Sequence, residues 1–548
     1  MKPKRRILVT TALPYANAEI HLGHILEHLI TDFWVRFQKM RGIECTAICA
    51  DDSHGAPIML SALKNGISPE SLIKDVLVKH VEVFRDFQIE YDHYSSTHSE
   101  ANKDLCIYFY EKIKEGKHLV TRKIEQFFCE KDKMFLPDRF VKGTCPRCHS
   151  ENQYGDGCDK CGATYMPADL KSPHCNLCGS TPIMSHTDQY FIRLEDFRDF
   201  LQKWVPEHTN ESIANKLQEW LGEELRDWCI SRDAPYFGFE IPDLPGKYFY
   251  VWFDAPIGYI SSTKEWCEKT GKKFEDYWKH PETEIYHNIG KDIIYFHTLF
   301  WPAMLTCAGF TTPSDVWVHG MLTLNGEKMS KSKGTFINAR PYLNHLAPEY
   351  FRFYLASKLS PGIIDIDLNL QDFVARVNSD LIGKITNVAS RSAQLLQKKM
   401  DGNLGKIPAG DAIALVKRAQ AESKSISDCY EKREFAKALL TIRELADSVN
   451  KYFDDHKPWL LLAEEPEKVR GILTCSLNVF RIISVYLKPI IPEYVRKVEV
   501  LFKEKAYDWN SAQTLIESQS LETFVHLLNR VDEKAIDKML QEIQPQKS

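Results

Sequence analysis

The chain has 548 residues, 44% of them hydrophobic and 11% aromatic, and a formal net charge of −5. This length predicts roughly three to five folding units, the composition excludes general disorder, and the mildly acidic balance excludes a globally basic nucleic-acid binder, leaving only local patches for such contacts. No apolar run approaches about 18 residues, so no membrane span is expected, and the basic start leads into too short an apolar stretch for a signal peptide. Fifteen cysteines, an odd number, predict reduced thiols and a cytoplasmic protein.

In chain order, Ile7 to Leu13 is a short, partly β-branched run closed by Pro14 and predicts a strand. Leu22, Ile25, Leu26, Leu29, Ile30 and Phe33 then recur at helical spacing, with Gly42 where a C-cap is expected. Between them, "EIHLGH" places His21 and His24 in the helix's opening turn around Gly23. Free N–H groups and the helix dipole favour an anion there, and two imidazoles add donors suited to phosphate. "GIECTAICADDSHGAP" follows as a second strand ending in Asp51 and Asp52. Strand, helix and strand with polar residues at the strand ends begin a parallel α/β sheet, whose ligands sit beyond the carboxyl ends.

From about 116 to 230 a cysteine-rich, turn-rich segment interrupts the alternation. It contains Cys145-x2-Cys148, nine residues, then Cys158-x2-Cys161. Four thiolates at this spacing match one tetrahedral, structural zinc ion, with Gly143, Gly155, Gly157 and Gly162 expected to permit the turns. A third pair, Cys175 and Cys178, lacks an obvious fourth cysteine pair; His149, His174 and His186 are the candidates to complete a second site, which is not expected. Strand-like material resumes at "KYFYVWFDAPIGYI" and "EIYHNIGKDIIYFH", where Asp292 is placed to cap the next helix. A last strand, "DVWVHGMLTL", leads into Lys328-Met329-Ser330-Lys331-Ser332 between Gly326 and Gly334. Ammonium groups on such a mobile loop can close over a polyphosphate and stabilise charge as a bond to phosphorus breaks. From about 370 onward only amphipathic helical patterns follow.

"HLGH" and "KMSKS", about three hundred residues apart, resemble the paired motifs of class I aminoacyl-tRNA synthetases. "ALPYAN", the four-cysteine insertion, "ADDSHG", "VWFDAPIGY" and "IGKDIIYFH" are similar to the methionyl-tRNA synthetase family over nearly the whole chain. The resemblance implies a Rossmann-like parallel sheet split by a zinc-knuckle insertion and followed by an α-helical bundle. The corresponding divisions are 1–115 and 231–325 for the catalytic halves, 116–230 for the insertion, 326–385 for the lysine-loop and stem-contact region, and 386–548 for an anticodon-binding domain. It implies that His21, His24, Lys328 and Lys331 are catalytic, and that Tyr15, Gly23, Gly290 and Asp292, together with His21, His24 and Lys331, bind ATP with its Mg²⁺. Ala12, Leu13, Tyr15, Asp52, Trp252, Ala255, Pro256, Tyr259, Ile293 and His297 are implied as the methionine pocket. Asn387, Arg391 and Trp459 are implied to read the CAU anticodon of the methionine tRNA.

A monomer is expected, because no C-terminal dimerisation domain of the kind some members carry is apparent. Two other readings explain less. Synthetases for leucine, isoleucine or valine need a larger editing insertion than 116–230, and a non-catalytic zinc-knuckle nucleic-acid binder leaves the histidines and the lysine loop without a purpose.

Overall fold

The computed structural model describes residues 5–543 except 138, 156, 159, 162, 164, 166 and 329–335, and of Lys328 only the backbone. Strand β1 (Arg6–Thr11) leads into helix α1 (Leu22–Met40), and β2 (Glu44–Asp51) and β3 (His93–Ser96) follow. After the insertion come helix α2 (Val251–Thr270), β4 (Thr283–Gly290) and β5 (Asp315–His319). The five strands form one parallel sheet in the order β5-β4-β1-β2-β3. The strand order reverses between β1 and β4, and open α/β sheets bind ligands beyond the carboxyl ends at that reversal. Alternation along β1 feeds both faces: Ile7 and Val9 pack towards α1, whereas Leu8 packs with Ile48, Ile285 and Ile289 on the other side.

Among the described residues of the insertion every paired strand is antiparallel. Leu119–Cys129, Met134–Phe135, Ile183–Ile192 and Trp228–Cys229 make one antiparallel sheet, and Val141–Thr144, Gln153–Tyr154 and Lys171–Cys175 make another that carries the cysteines.

Two predicted strands are corrected. In "KYFYVWFDAPIGYI" only Lys247–Phe249 is extended, and Val251 onward is the 20-residue α2. Its first three turns are buried on nearly every side, so the apolar run shows no helical period and reads like a buried strand. "DVWVHGMLTL" breaks in two, with Asp315–His319 in the main sheet and Leu322–Leu324 in a separate three-stranded sheet with Glu327–Lys328 and Ile366–Leu368. The break falls at Gly320, where a Cβ would lie 2.2 Å from the Ile364 carbonyl oxygen. Only glycine lets the two backbones approach so closely.

The C-terminal region is helical, including α3 (Asn387–Lys399), α4 (Phe435–His456) and α5 (Pro466–Leu487). By length and composition α5 passes the test for a membrane-crossing helix, which the sequence reading did not expect, but 94% of its apolar window is buried inside the protein. It is the central core helix of the bundle.

Helix α1 ties bundle and sheet together. Glu431, the last residue of the helix Ser423–Glu431 that precedes α4, accepts from Arg5 at 2.7 Å, Arg41 at 2.6 Å and Gln38 at 2.9 Å, and its carbonyl accepts from Trp34. Deeper, Arg352 (0% exposed) meets Asp32 (2%) at 2.5 Å and donates to the carbonyls of Phe87, Gln88 and Ile490. Removing one partner of a buried ion pair strands the other charge. Asp32→Ala is therefore expected to lower stability by about 3–5 kcal/mol, read by chemical denaturation. A loss below 1 kcal/mol, roughly the size of an exposed pair, would mean that the Arg352 carbonyl contacts suffice.

Candidate active site

His21 is the N-cap of α1. Its Nδ1 accepts from the backbone N–H of Gly23 at 3.0 Å and of His24 at 3.3 Å, while His24 Nδ1 accepts from the His21 N–H at 3.3 Å. The two rings stack with centroids 3.6 Å apart. This is a capping box made of two imidazoles. Because each Nδ1 accepts, each neutral ring carries its proton on Nε2, as a donor. The Gly23 N–H, expected to meet a ligand, is engaged by His21 instead.

The segment that follows the lysine loop pairs with this same turn. Leu22 N–H donates to the Ile337 carbonyl at 3.0 Å, Ala339 N–H donates to the Ile20 carbonyl at 2.9 Å, and His21 and Asn338 form an antiparallel bridge between them. Lys328 ends the short strand Glu327–Lys328. Lys331 lies outside the described residues.

At the β1/β4 reversal opens a cavity of about 440 Å³. Of the predicted residues, Ala12, Leu13, Tyr15, His24, Asp52, Trp252, Asp292 and Ile293 line it, whereas His21, Gly23 and Gly290 do not. Asp292 is not a helix cap: it sits in the 3₁₀ turn Lys291–Ile293, whose N-cap is Gly290 without a side-chain bond. A Cβ at Gly290 would lie 2.7 Å from Asp292 Oδ1, so a larger residue there would displace that carboxylate. The ends of β1 and β2 are locked to each other, with Ala16 N–H donating to the Asp52 carbonyl and Asp52 N–H to the Pro14 carbonyl, both at 2.8 Å. Asp52 is 8% exposed, its Oδ1 is buried without a hydrogen-bond partner, and burial, with the neighbouring Asp254 carboxyl, pushes its pKa well up. A carboxyl held this way is incomplete until a cation arrives.

A narrower pocket of about 30 Å³ adjoins, lined by Leu13, Asp52, Trp252, Ala255, Pro256, Tyr259, Ile293 and His297, all predicted, and by Phe296, which was not. Trp252 stacks on Phe296 with centroids 4.0 Å apart. His297 Nδ1 donates to the Ile293 carbonyl at 3.1 Å, which leaves Nε2 to accept from the Tyr259 hydroxyl at 2.9 Å. Burial pushes the His297 pKa down to about 4, so the ring is neutral. The pocket thus carries one carboxyl at its mouth and no charge within, which suits an apolar side chain on an ammonium-bearing ligand.

Sequence reasoning missed Glu27. It lines the larger cavity, its Oε2 lies 3.3 Å from His319 Nε2, and its Oε1 is buried and unpartnered. The available signal was its place three residues after His24, on the same helix face. Arg139 and Arg232 also line the cavity; Arg139 comes from a turn and Arg232 from the three-residue strand Ser231–Asp233, too short for periodicity to reveal.

In the insertion, Cys145, Cys148, Cys158 and Cys161 present ligand atoms all within 4.8 Å of one another. Cys145 and Cys161 sulfurs are 3.8 Å apart, and those of Cys148 and Cys158 are 3.5 Å apart. Tetrahedral zinc with bonds of about 2.3 Å separates its sulfurs by about 3.8 Å, so the four residues fit the ion. Among the described residues of this knuckle, the left-handed turn positions are His149 and Asn152, at φ +57° and +59°, rather than the expected glycines. Cys175 and Cys178 also have partners, but not histidines: Cys129 and Asp132 complete a second four-ligand cluster. Asp132 Oδ2 lies 3.2 Å from Cys129 Sγ and 3.1 Å from Cys175 Sγ. Cys129-x2-Asp132 keeps the knuckle spacing, and that was the overlooked signal.

In the bundle, Asn387 and Arg391 lie on α3, and Trp459 follows Pro458 in the next short helix, Pro458–Leu461. The Arg391 guanidinium sits 4.3 Å from the Phe453 ring centroid and 5.9 Å from that of Trp459, and Asp454 binds it at 2.5 Å. Trp459 is 45% exposed. It is not a core residue, and its face is available at the surface.

The family model described as tRNA synthetases class I (M) matches residues 7–393, and the anticodon binding domain of methionyl tRNA ligase matches residues 401–529. The methionine–tRNA ligase of Bdellovibrio bacteriovorus is 52% identical over 543 residues, covering 99% of this chain and 79% of the relative. That of Chromobacterium violaceum is 49% identical over 554 residues, covering 98% of this chain and 80% of the relative. Among solved structures, Mycobacterium tuberculosis methionyl-tRNA synthetase in complex with methionyl-adenylate matches with a TM-score of 0.79 at 23% identity, over 95% of this chain and 99% of that one. Its apo form matches with a TM-score of 0.73 at 21% identity, over 97% of this chain and 99% of that one. Those two likenesses show a shared fold, and the sequence matches go further: the chain belongs to the class I methionine–tRNA ligases.

Proposed function

We propose the following residue roles for the ligase reaction, in which methionine and ATP form methionyl-adenylate and pyrophosphate, and the methionyl group then esterifies the tRNA 3′ end. The observation that supports these roles is the backbone pairing of residues 20–22, in the histidine turn, with 337–339, the segment that follows the lysine loop in the chain. His21 and His24, with Nε2 protons set by their capping bonds, donate to the ATP phosphates. Lys328 and Lys331 neutralise the departing pyrophosphate, and Asp292, with Glu27 behind it, holds the ribose hydroxyls. Tyr15 closes over the site, its hydroxyl anchored on the His54 carbonyl at 2.7 Å. Asp52 pairs with the methionine ammonium, and the neutral pocket from Leu13 to His297 takes the thioether, which packs well against aromatic edges. The methionine carboxylate is thereby held for attack on the α-phosphorus, a step that needs orientation and charge neutralisation more than covalent help. Mg²⁺ enters with ATP, supplies charge neutralisation to the phosphates, and needs no dedicated protein cage.

Zinc is the ion proposed for the cysteine clusters, a structural one in the four-cysteine knuckle and a second in the Cys129–Asp132–Cys175–Cys178 cluster. Asn387, Arg391 and Trp459 are proposed to read the CAU anticodon by hydrogen bonding and stacking. The divisions at 115, 230, 325 and 385 are kept as functional units, and the protein is proposed to act as a monomer in the cytoplasm, where fifteen cysteines outside any disulfide stay reduced.

Three measurements test these roles. His24→Ala should cut methionine-dependent pyrophosphate exchange on the order of a hundredfold, the cost of one preorganised donor, with under about 1 kcal/mol of lost stability from the broken cap. Wild-type exchange in that variant would remove His24 from the mechanism. Metal analysis of protein purified under reducing conditions should return about two zinc ions per chain. Cys145→Ser with Cys148→Ser should remove one and Cys129→Ser the other, whereas a metal-free wild type would refute both sites. Trp459→Ala should weaken tRNA aminoacylation by roughly 1–3 kcal/mol, a stacking loss, while pyrophosphate exchange, which needs no tRNA, stays normal. If both activities fall together with the Tm, Trp459 is structural and the anticodon assignment fails.

A further inference from the structure

Behind Asp52 lies a second buried carboxyl, Asp254 on α2, that no step described above uses. It is 0% exposed, and its Oδ1 has no hydrogen-bond partner. Its Oδ2 meets His54 Nδ1 at 2.5 Å. His54, also 0% exposed, reaches on through Nε2 to His98 Nδ1 at 2.9 Å. His98 is exposed and stacks on Phe237 and Phe239. A continuous hydrogen-bonded line therefore runs from a sealed carboxyl beside the ammonium site to solvent, through two imidazoles that each hold a donor and an acceptor.

Burial pushes the Asp254 pKa well up and the His54 pKa down to about 3, and Asp254 is in turn a cause of the raised Asp52 pKa. The remaining groups facing the line are Tyr15 and Tyr236, both pushed up by burial, the buried Cys106 thiol, and Glu70 and Glu100 near His98. No cation among these compensates Asp254. Two buried carboxyls near enough for one to raise the other do not both ionise without one.

We propose that Asp254, His54 and His98 form a proton relay coupled to substrate binding: when a cationic ammonium group docks on Asp52, Asp254 ionises and its proton leaves to solvent through His54 and His98. The proposal rests on the reading of Asp52 as the methionine ammonium site. In the transfer the Asp254 O–H proton passes to His54 Nδ1, the His54 Nε2 proton passes to His98 Nδ1, and the His98 Nε2 proton passes to water. Both rings end neutral in the opposite tautomer, one carboxylate has formed, and one proton has entered the buffer. Binding that releases a proton strengthens as pH rises, so methionine affinity should climb with pH across the range in which Asp254 titrates. Asp254 and His54 touch no substrate, and their role is to set the charge of the site that does.

Isothermal titration of the intact protein with L-methionine, run at one pH in phosphate and in Tris, counts the protons released from the difference in buffer ionisation heat. Wild type should release about one proton per methionine bound. Asp254→Asn, which keeps the shape but cannot ionise, should release about none and lose the pH dependence of affinity. Release that is unchanged in Asp254→Asn, or binding by the wild type with no release, overturns the relay. Failure of the wild type to bind methionine at all brings down the substrate reading first, and the relay with it. His98→Phe changes only an exposed residue and so guards against a misfolded Asp254 variant. Mixed rapidly with methionine and a pH indicator, it should release the same total about tenfold more slowly, and an unchanged rate overturns the exit through His98.

Discussion

The site exists because two stretches more than three hundred residues apart share a pair of backbone hydrogen bonds. Leu22 and Ala339 donate to Ile337 and Ile20, across the His21–Asn338 bridge. Side chains can be swung or truncated, but these bonds belong to the main chain, and they fix the segment that follows the lysine motif against the first turn of α1. Everything needing both motifs depends on that register. The same helix then runs away from the site, and its later turns carry Asp32 to Arg352, and Gln38 and Arg41 to Glu431. One helix therefore presents the histidine turn and fastens the bundle.

The second organising feature is electrostatic. Around the ligand space burial works against charge: it lowers His54, His297 and His287 and raises Asp52, Asp254 and Glu27. The empty site thereby avoids isolated charges in a poorly polarisable interior, where they would be costly. Its carboxyl oxygens instead stand unsatisfied at Asp52, Asp254 and Glu27. On the proposed role of Asp52, an ammonium completes what folding leaves incomplete, and selectivity for an amino acid over an uncharged thioether follows before any side-chain fit is tested.

Much of this was legible in the sequence. The β1–α1–β2 unit, the histidine turn and the four-cysteine knuckle declare themselves through short-range spacing, and the pocket residues follow from a family resemblance that the sequence matches bear out. What stayed hidden depends on burial or long-range placement. Helix α2 reads as a strand because its early turns are buried nearly all round, and the Gly320 break is dictated by Ile364, forty-four residues on. The acid in Cys129-x2-Asp132 hid the second cluster because ligand spacing was sought only between cysteines and histidines. Asp254 was passed over inside a motif valued for its aromatics, since nothing local says that an aspartate six residues before Ile260 will meet His54.

The hydrophobic core has a further consequence. The apolar cluster that starts on β1 and α1 continues without a break through Phe33, Phe37 and Tyr430 into Phe435, Ile482 and Tyr486 of the bundle. A family boundary falls between residues 393 and 401, yet no energetic boundary accompanies it. Cutting the chain there would not release two self-sufficient modules; it would bare the apolar flank of α1 on one fragment and its counterpart on the other. Heat taken up by one half is therefore shared by the other, so the enzyme is built to melt as a single calorimetric unit, and its tRNA-facing end cannot loosen without the adenylation end registering it.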